Sequence, residues 1–108
     1  KNPSSKNNFF IITYLYIHKY KINLNSMRKI KYFTASWCAP CKMLKPIMMD
    51  MISEGYNIDV IDIDENIEEP GRYGIRSVPT CIVMDGDTEI TRWSGIKQKT
   101  EIAKLYNS

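Results

Sequence analysis

A strand that runs through two closely spaced cysteines into a proline-primed helix is the feature that most constrains this chain. Lys29-Ile30-Lys31-Tyr32-Phe33-Thr34 carries the β-branched and aromatic residues of a strand. It leads through Ala35-Ser36-Trp37 into Cys38-Ala39-Pro40-Cys41. Pro40 suits the first turn of a helix, where a missing N–H costs nothing. Leu44, Met48 and Ile52, with Met43, Ile47 and Met51, then recur at i and i+4 and predict one apolar stripe, the methionines Met43, Met48 and Met51 serving as core filler. Pro46 falls inside this helix and predicts a kink, and Gly55 ends it.

Further on, Ile58–Ile63 predicts a second strand whose aspartates lead into a short acidic helix near Asn66–Tyr73. The run Glu65–Glu69 reads as a solvated face. Pro79–Met84 and Glu89–Trp93 predict a hairpin around Asp85-Gly86-Asp87, a strong turn signal. Lys97–Tyr106 closes the chain as a helix. The order β-α-β-α-β-β-α begins parallel and ends antiparallel. It predicts an α/β class, with a central mixed four-stranded sheet flanked by helices.

With 108 residues the chain is expected to form one domain with a modest core. Its net charge of +3 is unevenly placed. Residues 1–26 hold four lysines and no acid, whereas residues 27–108 hold eleven basic and twelve acidic side chains. The body therefore carries no electrostatic footprint for nucleic acid. The same change of composition divides the chain into an N-terminal extension, 1–26, irregular or adding an edge strand over Phe9–Ile17, and a domain, 27–108. The apolar stretch ending near Ile17 is far shorter than the roughly 20 residues of a spanning helix. It has the flank and length of a signal-peptide core, yet no small-residue cleavage site follows. The expectation is a monomer in the cytoplasm with no membrane contact.

Three cysteines cannot build the even-numbered framework of a small secreted protein, and they fit a reducing compartment better. A structural zinc site needs four ligands, and Cys38, Cys41, Cys81 and His18 offer no second pair. A cysteine protease needs a histidine base, and the one histidine lies in the extension. Cys81 reads as a buried core thiol, since free cysteine packs as a small hydrophobe. The redox reading explains more. A C-x-x-C pair at a strand-to-helix junction puts its first sulfur at the helix N-terminus, where unpaired N–H groups and the dipole favour a thiolate. A cysteine pKa of about 8.5 falls to roughly 3.5–7.5 in such settings. The second sulfur, one turn on, is placed to close a disulfide.

Several stretches together resemble the thioredoxin family, over about residues 29–106. Trp37-Cys38-Ala39-Pro40-Cys41-Lys42 is similar to the family's WCGPCK, with Ala39 in place of glycine. Lys45-Pro46 falls where the family's helix has its proline, and Tyr73-Gly74-Ile75-Arg76-Ser77-Val78-Pro79-Thr80 is close to YGIRGIPT. Trp93-Ser94-Gly95 fits the glycine that borders the family's substrate groove. The resemblance implies a thioredoxin-like fold of the minimal variety. It also implies protein-disulfide reduction, with Cys38 attacking and Cys41 resolving, Ala39, Pro40 and Lys42 completing the motif, and a groove formed by Trp37, Val78, cis-Pro79 and Gly95. Electrons would reside in the sulfurs, so no cofactor or metal is expected. The implied partners are disulfide-containing proteins and a thioredoxin reductase or small-thiol reductant. CPYC and a Gly-Gly pair after the proline strand would point instead to a glutathione-dependent, glutaredoxin-like protein, and neither occurs. A redox-inactive binding module of the same fold would not need the intact cysteine pair. One departure stands out: the family's buried aspartate is replaced by Tyr32 and its lysine by Val60.

Overall fold

The computed structural model describes residues 27–108. The N-terminal extension, with its candidate strand over Phe9–Ile17, lies outside the described residues. Four strands, β1 (Arg28–Thr34), β2 (Ile58–Asp62), β3 (Thr80–Asp85) and β4 (Thr88–Ser94), form one sheet in the order β2-β1-β3-β4. β1 pairs parallel with β2 and antiparallel with β3, and β3 pairs antiparallel with β4. Three helices complete the order: α1 (Ala39–Ser53), α2 (Glu68–Arg72) and α3 (Lys99–Asn107). This is the α/β architecture that the element order predicts.

Alternation along the two central strands builds a core on each face of the sheet. Successive strand side chains point to opposite faces. Ile30 and Tyr32 of β1 and Cys81 and Val83 of β3 pack with Leu44, Met48 and Met51 of α1 and Ile102 and Tyr106 of α3. Phe33, Ile82 and Met84 face the other way and meet Ile61, Tyr73, Ile75 and Val78. Both faces of β3 are thereby covered, which is why it reads as an uninterrupted apolar run.

The stripe of α1 differs from expectation at one methionine. Cys41, Leu44, Met48 and Met51 are the buried residues of the helix. Met43 is 66% exposed. At about 100° per residue it is turned a full step from Leu44, away from the sheet. The run Glu65–Glu69 is not solvated throughout either. Glu69 is half-buried, and its carboxylate accepts a hydrogen bond from Lys31 Nζ at 2.9 Å. That ion pair fastens α2 to β1 on the face of the sheet opposite α1.

Candidate active site

Cys38 is the N-cap of α1, with an extended backbone (φ −90°, ψ 114°) immediately before the helix begins at Ala39. Its sulfur accepts a hydrogen bond from the backbone N–H of Cys41 at 3.2 Å. That N–H is among the first of the helix, which have no partner in the turn before them. The sulfur thus occupies the position that a serine or aspartate oxygen takes in an ordinary cap. Cys38 and Cys41 are joined in a disulfide, their Cα atoms 5.2 Å apart. Both are buried and pack with Ala35 against Ile63 and Val78.

The loop before β3 forms the opposite wall. Cys38 Sγ lies 3.4 Å from the carbonyl oxygen of Val78. The Val78–Pro79 peptide is cis, as the resemblance implies. Gly95, at φ 90°, donates its N–H to the Pro79 carbonyl at 2.9 Å. A side chain is strained at that φ, so glycine keeps this edge bare. Val78, Pro79 and Gly95 are therefore gathered beside the disulfide. Trp37, next to Cys38 in the chain, is 65% exposed, and its indole N–H donates to Asp64 Oδ2 at 2.9 Å. Ala39, Pro40 and Lys42 are exposed on the first turn of α1.

Beneath the helix, Tyr32 is buried and donates its hydroxyl hydrogen to the Cys41 carbonyl at 3.2 Å. It pairs with Val60 on one side and Cys81 on the other. Burial pushes both the Tyr32 phenol and the Cys81 thiol above their ordinary pKa. A cleft of about 440 Å³ opens beside Tyr32, and Tyr32, Cys41, Lys45, Asp62 and Glu65 are among its walls. Sequence alone does not single out Asp64 as the partner of Trp37, nor Asp62 and Glu65 as cleft residues. The spacing Asp62-Ile63-Asp64 was the available signal. Among the described residues no group of three or more His, Cys, Asp or Glu side chains is placed to hold a metal ion.

A disulfide closed across the first turn of a helix, with its first sulfur hydrogen-bonded and polarised, exchanges with thiols through sulfur–sulfur displacement. That chemistry defines a thiol–disulfide oxidoreductase. The family model described as Thioredoxin matches residues 15–108. Thioredoxin of Bacillus subtilis (strain 168) is 36% identical over 78 residues, covering 69% of this chain and 75% of its own length. Thioredoxin of Chlamydia pneumoniae is 36% identical over 77 residues, covering 69% and 76%. A mutant thioredoxin from Halobacterium salinarum superposes with a TM-score of 0.68 at 28% identity, over 75% of this chain and 73% of that one. Thioredoxin 1 of Thermosipho africanus gives 0.64 at 30% identity, over 73% and 90%. The chain belongs to the thioredoxin family and acts in protein thiol–disulfide exchange.

Proposed function

We propose that the protein reduces protein disulfides, with Cys38 as the attacking thiolate and Cys41 as the resolving thiol. The observation that carries this is the hydrogen bond from the Cys41 N–H to Cys38 Sγ at the helix cap. It favours negative charge on Cys38 and offers Cys41 no equivalent donor among the described residues. In the cycle, the Cys38 thiolate attacks one target sulfur, and the other target sulfur leaves with the bonding electrons. Cys41 then attacks Cys38 Sγ, so the Cys38–Cys41 bond forms and the second target thiolate departs. Two electrons pass to the target, and the oxidised pair is restored by a reductase or small-thiol pool.

Val78, Pro79 and Gly95 line the substrate side of the disulfide in this reading, and Trp37 flanks it. The closeness of Cys38 Sγ to the Val78 carbonyl supports a target backbone running beside that loop. Ala39, Pro40 and Lys42 belong to the site as the turn that sets the spacing of the sulfurs. We assign the protein to cytoplasmic electron transport as a monomer. No helix among the described residues is long and apolar enough to cross a membrane. Residues 1–26 are proposed to be dispensable for the chemistry, since both cysteines and the groove lie in residues 27–108.

Insulin reduction, coupled in turn to a thioredoxin reductase and to glutathione, tests the direction and the reductant. Turnover with the reductase is expected. Turnover with glutathione alone would favour a glutaredoxin-like role, and none with either would leave a binding module. A chain starting at Met27 is expected to keep cooperative unfolding and activity. Loss of both would mean that the extension supplies part of the domain.

A further inference from the structure

Cys41 must lose a proton before it can displace a target from Cys38, and its surroundings restrict where that proton goes. The residue is 2% exposed. Among the described residues, Thr80 is the buried polar side chain, and no carboxylate is buried with it. The Tyr32 phenol, hydrogen-bonded to the Cys41 carbonyl, is raised by burial above its ordinary 10.0 and is no base at neutral pH. Cys81, beside Tyr32 in the sheet, is raised by burial as well.

What reaches Cys41 is the cleft of about 440 Å³ beneath α1. Its titratable walls are Tyr32 from β1, Lys42 and Lys45 from α1, Asp62 from the end of β2 and Glu65 from the turn that follows. At about 30 Å³ per liquid water, such a volume holds a chain of several waters. Asp62 pairs with Thr34, two positions beyond the Tyr32–Val60 pair, so it projects from the same sheet face as Tyr32. It is also held in place. Its Oδ1 accepts the Asp64 N–H at 2.9 Å, and its carbonyl accepts the N–H groups of Glu65 and Asn66 at 3.1 and 2.9 Å. Glu65 is exposed, and its carboxylate has no hydrogen bond among the described residues.

We propose that Asp62 takes the proton of the resolving thiol, through water in this cleft; the proposal rests on Cys41 being that thiol. The Asp62 carboxylate accepts the Cys41 proton by way of a bridging water. The Cys41 thiolate then attacks Cys38 Sγ, the Cys38–target bond breaks, and the target leaves as a thiolate that is protonated from solvent. The protein dithiol gives up two electrons to the target disulfide, and Asp62 returns its proton to the cleft water.

The full, reduced chain is mixed rapidly with dithiobis-nitrobenzoate. The first equivalent of thionitrobenzoate reports attack by Cys38, and the second reports displacement by Cys41. Asp62→Asn keeps an oxygen for the Asp64 N–H but cannot take a proton. It is expected to slow the second phase by about tenfold at neutral pH, less than the roughly 10²–10⁴-fold that positioned bases supply, because bulk water still enters the cleft. The first phase should be unchanged, and the deficit should close as rising pH ionises Cys41 directly. Asp62→Glu should restore most of the rate, and Glu65→Gln should follow the unaltered chain. An unchanged second phase and pH profile in Asp62→Asn would overturn the proposal, as would an equal slowing in Glu65→Gln. A second phase missing from the unaltered chain would overturn the resolving role of Cys41 and this proposal with it.

Discussion

The backbone N–H of Cys41 points at the sulfur of Cys38 from 3.2 Å, so one cysteine caps the helix with the help of the other. The relationship is asymmetric. Cys38 and Cys41 are almost equally buried, at 4% and 2%. Exposure therefore does not separate the two thiols, and the helix terminus does. Charge on Cys38 meets an N–H and the positive end of the α1 dipole, whereas Cys41 sits one turn inside.

Tyr32 is the support beneath that turn. Tyr32→Phe removes the hydroxyl that donates to the Cys41 carbonyl, and should cost about 0.5–1.5 kcal/mol, the range for one buried hydrogen bond. Tyr32→Asp puts a carboxyl in the same buried place without a partner and should cost a few kcal/mol, about 2–4. Urea midpoints at constant m-value measure both. Equal midpoints for the unaltered chain and Tyr32→Asp would be incompatible with the packing described.

The proposed place of Trp37 beside the disulfide predicts an effect on recognition without one on stability. With 65% of its surface exposed, Trp37→Ala should move stability by no more than about 0.5 kcal/mol. Exposed aromatic anchors carry a large share of binding energy, so kcat/KM for a protein disulfide should fall by about tenfold while a small aromatic disulfide reacts as before. Asp64→Ala, which frees the indole N–H, should reproduce part of the loss. Steady-state kinetics with the two substrate types checks this.

The Lys31–Glu69 pair predicts a pH dependence. Burial works to lower the Lys31 pKa, but the hydrogen bond and charge of Glu69, together with the charges of Tyr73 and Asp59, outweigh it and leave the group above its ordinary 10.5. A folded-state pKa above the unfolded one stabilises fully below 10.5 and loses that contribution as pH rises through the higher folded value. Glu69→Gln should therefore cost about 1 kcal/mol at neutral pH, and the difference should shrink above about 10.5. Denaturant midpoints across that range test the sign.

The sheet order and the cysteine turn were legible because they rest on local chemistry. Alternating apolar residues, Pro40 in the first turn and Asp85-Gly86-Asp87 between two strands each carry their own signal. Met43 was not legible, since an unbranched apolar residue beside a buried stripe reads as core until the helix is rotated against the sheet. Glu69 was hidden in an acidic run whose other members are mostly exposed, and only the fold brings Lys31 to it. The same holds for Asp62 and Asp64. Their alternation signals an exposed strand end, but the cleft under Cys41 and the partner for Trp37 arise from contacts between separate elements.

The central claim is the difference between the two sulfurs, and alkylation by iodoacetamide at neutral pH measures it most directly. In Cys41→Ser the remaining active-site thiol is Cys38, and in Cys38→Ser it is Cys41. Cys81 is buried, with its thiol pushed up, and should stay unmodified in both folded variants. A pKa lowered by only one unit raises the thiolate fraction about tenfold near neutrality, so Cys41→Ser should react at least about tenfold faster than Cys38→Ser. Equal rates, or a faster Cys38→Ser, would contradict the assignment of Cys38 as the nucleophile.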